Sequence, residues 1–80
     1  MDEPIKILCV DDESNVLRSL KRLFHRFEYQ IYFAESGEEG LQIMSSEPGI
    51  QLIISDYRMP GMTGVQFLCK VYEKWPETIR

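Results

Sequence analysis

The run IQLIISDYRMPGMTG, residues 50–64, is the stretch around which the rest of the chain is organised. Its residues 52–54, LII, form a short apolar stretch that suits a strand buried on both faces, and the stretch ends on a carboxylate, Asp56. Pro60, Gly61 and Gly64 follow at once and forbid regular structure until the turn is passed. Asp56 is therefore expected on a constrained loop at the end of a buried strand.

Upstream, residues 5–10, IKILCV, are almost continuously apolar and β-branched, the pattern of a central parallel strand, and they stop at Asp11 and Asp12. From Val16 the apolar side chains fall at Val16, Leu17, Leu20, Leu23, Phe24 and Phe27, one face of a helix. Arg18, Lys21, Arg22 and His25 take the opposite face, while the acids and Ser14 lie where free amide groups need capping. Residues 30–34 read as a more mixed strand, suited to a sheet edge. Ser36 with Glu39 forms a capping box for a short second helix that Pro48 and Gly49 close. Beyond Gly64, the stripe Phe67, Leu68, Val71, Tyr72 and Trp75 predicts a third helix, ended by Pro76.

The order β-α-β-α-β-α implies parallel strands joined by right-handed crossovers, an α/β doubly wound sheet. With strand one between strands two and three, the order 2-1-3 brings Asp11, Asp12 and Asp56 together at the carboxyl edge. Folds of this kind place ligands at that switch point.

The totals narrow the function. Eighty residues make one small domain, and a hydrophobic content of 44% with 28% charged residues is that of a chain that folds. A net charge of −4 argues against direct nucleic-acid binding, which needs clustered cations. The acidic start and the lack of a long apolar run predict neither a signal peptide nor a membrane span, hence a cytoplasmic chain. Cys9 and Cys69 read as small buried hydrophobes in a reducing compartment.

Three ionised acids do not gather without compensation, because two like charges about 4 Å apart repel by roughly 4 kcal/mol at an effective dielectric near 20. Hard oxygen ligands that leave room for water and a phosphate suit Mg²⁺. A cation beside a carboxylate is the equipment of phosphoryl transfer, and Asp56 is the best nucleophile. An EF-hand reading of DDESNV fails, because Val16 and Arg22 stand where that loop needs Gly and Glu. A haloacid-dehalogenase-type phosphatase would want an acid two residues after its nucleophile, where Arg58 stands.

The run CVDDE at 9–13, together with IISDYRMPGMTG at 53–64, resembles the receiver domain of two-component response regulators, over the whole chain. The resemblance implies a flavodoxin-like fold of the chemotaxis-regulator type. It implies Asp56 as phosphoacceptor, Mg²⁺ held by Asp11, Asp12, Asp56 and the Arg58 backbone carbonyl, and a histidine kinase or phosphotransfer protein as donor. Such a module is not an enzyme in the usual sense, although receivers catalyse their own phosphorylation and dephosphorylation.

The family continues with two further strands and helices, carrying a Ser or Thr after strand four and a Lys after strand five. Thr78, Lys6, Lys70 and Lys74 occupy neither place. Residues 1–80 are thus expected to be the N-terminal part of a receiver, truncated after the third helix, with a C-terminal output domain in the full-length protein. The competing expectation is an interaction fragment without phosphotransfer, self-associating through strand three as an exposed apolar edge. The basic stripe on the first helix reads as a solvated face, with docking of the phosphate donor as its functional alternative. Tyr72 and Trp75 read as core or interface, and Met59 and Met62 as loop packing.

Overall fold

A computed structural model describes residues 4–79. Strands β1 (Lys6–Val10), β2 (Gln30–Ala34) and β3 (Ile50–Ser55) alternate with helices α1 (Ser14–Phe24), α2 (Gly37–Ser46) and α3 (Gly64–Lys74). The sheet order is β2-β1-β3 and both pairings are parallel. This is the doubly wound order expected from the sequence.

Strand alternation sorts the apolar residues onto the two faces of the sheet. Leu8, Val10, Ala34 and Ile53 face one way and pack with Met44 of α2 and with Phe67 and Val71 of α3. Ile7 and Cys9 face the other way and meet Leu17 of α1. Phe67 and Val71 are fully buried, so α3 is the principal lid of the first face. Ile53 is buried whereas Leu52 and Ile54 are half-buried, so β3 is sealed on the α2–α3 face and partly open on the α1 face.

The structure corrects several local expectations. Helix α1 ends at Phe24 rather than running on through Phe27, which instead stacks on Tyr29 with ring centroids 5.3 Å apart. Ser14 is the first helical residue and does not cap; the N-cap is Glu13, whose own amide donates to Asp11 Oδ1 at 2.9 Å. In α2 the Ser36 hydroxyl accepts from the Glu39 amide as the capping box requires, but Glu39 reaches back to the amide of Glu35 rather than to that of Ser36. Gly49 turns the chain into β3 with φ 87°, a conformation that favours glycine.

Cys9 is buried but Cys69 is exposed on the outer side of α3, and the two are free thiols. Tyr72 of the expected apolar stripe is exposed, while Trp75 is half-buried against the core. The outer edge of β3 is not bare. Ile79 bridges to Leu52 in parallel, accepting from the Ile53 amide at 2.9 Å and donating to the Gln51 carbonyl at 3.0 Å. Thr78 beside it is buried and its hydroxyl donates to the Ile50 carbonyl. Self-association through a fully open β3 edge loses its premise over this stretch.

Candidate functional site

The carboxyl ends of β1 and β3 are fixed by backbone bonds to their neighbours. The Asp11 amide donates to the Ala34 carbonyl at 3.0 Å, and the Asp56 amide donates to the Val10 carbonyl at 2.8 Å. These bonds continue the sheet by one step past each strand. They bring Asp11, Asp12 and Asp56 to one edge, with a carboxylate oxygen from each lying within 4.8 Å of the others.

Asp11 and Asp56 are half-buried and Asp12 is exposed. Oδ1 of Asp11 accepts from the Glu13 amide, and Oδ1 of Asp56 accepts from the Tyr57 amide at 2.8 Å. Each carboxylate is thereby oriented by a neighbouring amide through one oxygen. Anionic oxygens gathered so closely repel unless a cation or protons intervene. Such a set fits a hard divalent ion, whose preferred ligands are oxygens and which keeps several sites for water or phosphate.

The loop that carries Asp56 back into α3 is closely packed. Met59 is buried in the core, and Gly61 takes φ 76°. Thr63 caps α3 by accepting from the Gln66 amide, and Gln66 Oε1 accepts in return from the Thr63 amide at 2.9 Å. Gly64 donates to the Tyr57 carbonyl at 3.1 Å. A Cβ at position 64 would run into the Asp56 carbonyl and stand 3.1 Å from Tyr57 Cα, so the loop closes only over a residue without a side chain. Arg58 and Tyr57 are exposed at the rim.

Asp11, Asp12 and Asp56 are thus brought together as the sequence implied. Lys6 lies at the opposite end of β1, its ammonium donating to the Pro48 carbonyl, and Lys70 and Lys74 are exposed on α3. The steric demand at Gly64 and the seating of Met62 on α2 escaped the sequence reading. The Thr63–Gln66 box did carry a signal, a Thr followed three residues on by Gln before an apolar stripe.

An open parallel sheet with an acidic cluster at its switch point defines a doubly wound α/β domain whose cluster lies where such sheets bind ligands. A family model described as the response regulator receiver domain matches residues 7–80, and the chain belongs to that family. It is 37% identical over 79 residues to the hydrogenase transcriptional regulatory protein HoxA of Cupriavidus necator, an alignment covering 99% of this chain and 16% of HoxA. It is 39% identical over 67 residues to the two-component response regulator ORR7 of Oryza sativa subsp. japonica, covering 84% of this chain and 32% of ORR7. Among solved structures, the signal receiver domain of an HD domain-containing protein from Pseudomonas fluorescens superposes with a TM-score of 0.91 at 29% identity, covering 95% of this chain and 60% of that one. The chain therefore spans a third or less of these two relatives and somewhat over half of the solved receiver.

Proposed function

We propose that this chain is the phosphoacceptor part of a two-component response regulator, and that Asp56 takes a phosphoryl group from a histidine kinase or phosphotransfer protein. The observation that carries this reading is the meeting of Asp56 with Asp11 and Asp12, their oxygens within 4.8 Å, at the switch point of the sheet. Asp11, Asp12, Asp56 and the backbone carbonyl of Arg58 would hold Mg²⁺. When bound, the ion supplies charge neutralisation for the phosphoryl oxygens.

The chain's own residues do the rest. The Tyr57 amide holds Oδ1 of Asp56, which leaves Oδ2 as the oxygen that attacks phosphorus. A P–O bond forms, the P–N bond to the donor imidazole breaks, and its electron pair leaves with the imidazole nitrogen. The β3–α3 loop fixes the approach, since Gly64 and Met59 leave it little freedom. In this reading the chain is a substrate of its donor and not an enzyme acting on other molecules. Its output lies in a further domain of the full-length protein, and its compartment is the cytoplasm. In the described residues no helix is long and apolar enough to cross a membrane.

Intact-mass spectrometry after exposure to acetyl phosphate tests the proposal. One phosphoryl group should appear only with Mg²⁺ and only when Asp56 is present. An adduct that survives Asp56→Asn, or that forms equally in a chelator, would overturn it.

A further inference from the structure

The β3–α3 loop is held at four points. Two belong to the loop and its own helix, the close approach of Gly64 to the Asp56 carbonyl and the reciprocal Thr63–Gln66 cap, and a third, the buried Met59, anchors it in the core. The fourth ties it to the start of α2. Met62 lies directly on Gly37, the first residue of α2, and a Cβ at position 37 would stand 2.8 Å from Met62 Sδ and 3.2 Å from its Cβ and Cγ.

Gly37 is needed here for room and not for backbone conformation, since the positive-φ glycines are Gly49 and Gly61. The segment it opens is itself well anchored. At Gly40, a turn further on, a Cβ would meet the Phe67 ring at 2.8 Å and Val10 Cγ2 at 3.2 Å, so α2 is wedged close to α3 and β1. Just upstream, Ala34 accepts from the Asp11 amide. Residues 34–40 therefore touch both halves of the acidic cluster: Asp11 through a backbone bond, and the loop of Asp56 through Met62.

We propose that Gly37 is a positioning residue for Asp56. Its bare Cα lets Met62 seat on the start of α2, and this seating sets where the Asp56 carboxylate stands relative to Asp11 and Asp12. The inference deepens the phosphoacceptor reading and rests on it for its kinetic consequence, but the geometry it asserts concerns the acids alone. A methyl group at position 37 unseats Met62: Sδ swings aside, while Cβ, at 3.2 Å, gives by a few tenths of an ångström and carries the loop with it. The atoms the methyl meets belong to a side chain that can give rather than to main chain, so fold stability is expected to hold while site geometry suffers. A general loss of structure would move them together.

The test compares the full chain with Gly37→Ala, Met62→Ala and the double variant. Three readouts are taken: the urea midpoint, the Mg²⁺ affinity from amide chemical shifts of Asp11, Asp56 and Tyr57, and the rate of acyl-phosphate formation from acetyl phosphate. Gly37→Ala should leave the urea midpoint close to that of the parent while weakening Mg²⁺ binding and slowing phosphorylation, each by about tenfold, less than the roughly 10²-fold that a 1 Å misplacement can cost. In the double variant the methyl no longer meets Sδ or Cγ and only the 3.2 Å approach to the Cβ of residue 62 remains, so most of the loss caused by Gly37→Ala should disappear and its Mg²⁺ affinity should lie close to that of Met62→Ala alone. Affinity and rate unchanged in Gly37→Ala would overturn the proposal, as would losses that simply multiply in the double variant. If the parent chain takes up no phosphoryl group yet Gly37→Ala still weakens Mg²⁺ binding, the positioning role stands and the acceptor role of Asp56 falls.

Discussion

Replacing Gly64 with alanine adds one methyl group and should destabilise the whole domain. The new Cβ would overlap the Asp56 carbonyl, and because its other neighbour, Tyr57 Cα, is also backbone, no side chain can swing aside. Overpacking a tight site costs typically about 1–3 kcal/mol, and a clash against main chain belongs at the upper end. Parting the loop also lengthens the bond from Gly64 to the Tyr57 carbonyl, worth about 1 kcal/mol. The gain from alanine's helix propensity is at most about 1 kcal/mol and is smallest at a helix start. The net loss is about 3 kcal/mol. For a domain of this size, with a urea m-value of about 1.5 kcal/mol/M, the midpoint should fall by roughly 2 M. Trp75, half-buried against the core, reports the transition by fluorescence, with circular dichroism as the second probe. A midpoint within a few tenths molar of the parent would show instead that the loop can close over a side chain.

Phe67→Ala empties the centre of the α3 face of the core and should cost about 3–5 kcal/mol, enough to leave the chain largely unfolded by circular dichroism. Asp12→Asn should act with opposite signs on two measurements. Without metal it relieves repulsion by about 1 kcal/mol, the scale for charges near 5 Å in a solvated site, whereas Mg²⁺ affinity in a titration should drop about tenfold. The two thiols should differ sharply towards a disulfide reagent, Cys69 reacting at once and Cys9 only on unfolding. Burial pushes the Cys9 thiol up to about 11 from 9.0. The folded state therefore holds that proton more tightly than the unfolded state does. The associated stability is complete below pH 9 and is lost as pH rises towards 11. The alkaline fall in urea midpoint should shrink in Cys9→Ala.

The sheet and its acids were legible because each depends on patterns a few residues long. A run such as IKILCV bounded by Asp11 states both that a strand is buried and where it stops, and the alternation of strands with helical stripes fixes the parallel order. What escaped depends on contacts between distant segments. Nothing local to SGEEG says that Gly37 must make room for a methionine twenty-five positions later, and nothing local to TG says that Gly64 lies against the carbonyl of Asp56. Exposure is similarly non-local: Cys69, read as buried, and Tyr72, read as part of the apolar stripe, both turn outward, because α3 meets the sheet through a narrow line centred on Phe67 and Val71. The far end of α1 shows the same limit. The pattern runs to Phe27, yet the helix stops at Phe24 and the two rings join Tyr29 in a cluster of their own.

The last backbone bonds that hold the acids come one from each side: Ala34 of β2 secures Asp11, and Val10 of β1 secures Asp56. In time, this makes the cluster a late arrival. Each parallel pairing must wait for an intervening helix to close its loop, and β3 joins β1 across more than forty residues, the longest closure in the sheet. Until that docking Asp56 is far along the chain from Asp11 and Asp12, so its charge adds nothing to theirs. A refolding experiment that follows the proposed Mg²⁺ uptake should thus time the completion of the sheet, with uptake expected only after the third strand is home.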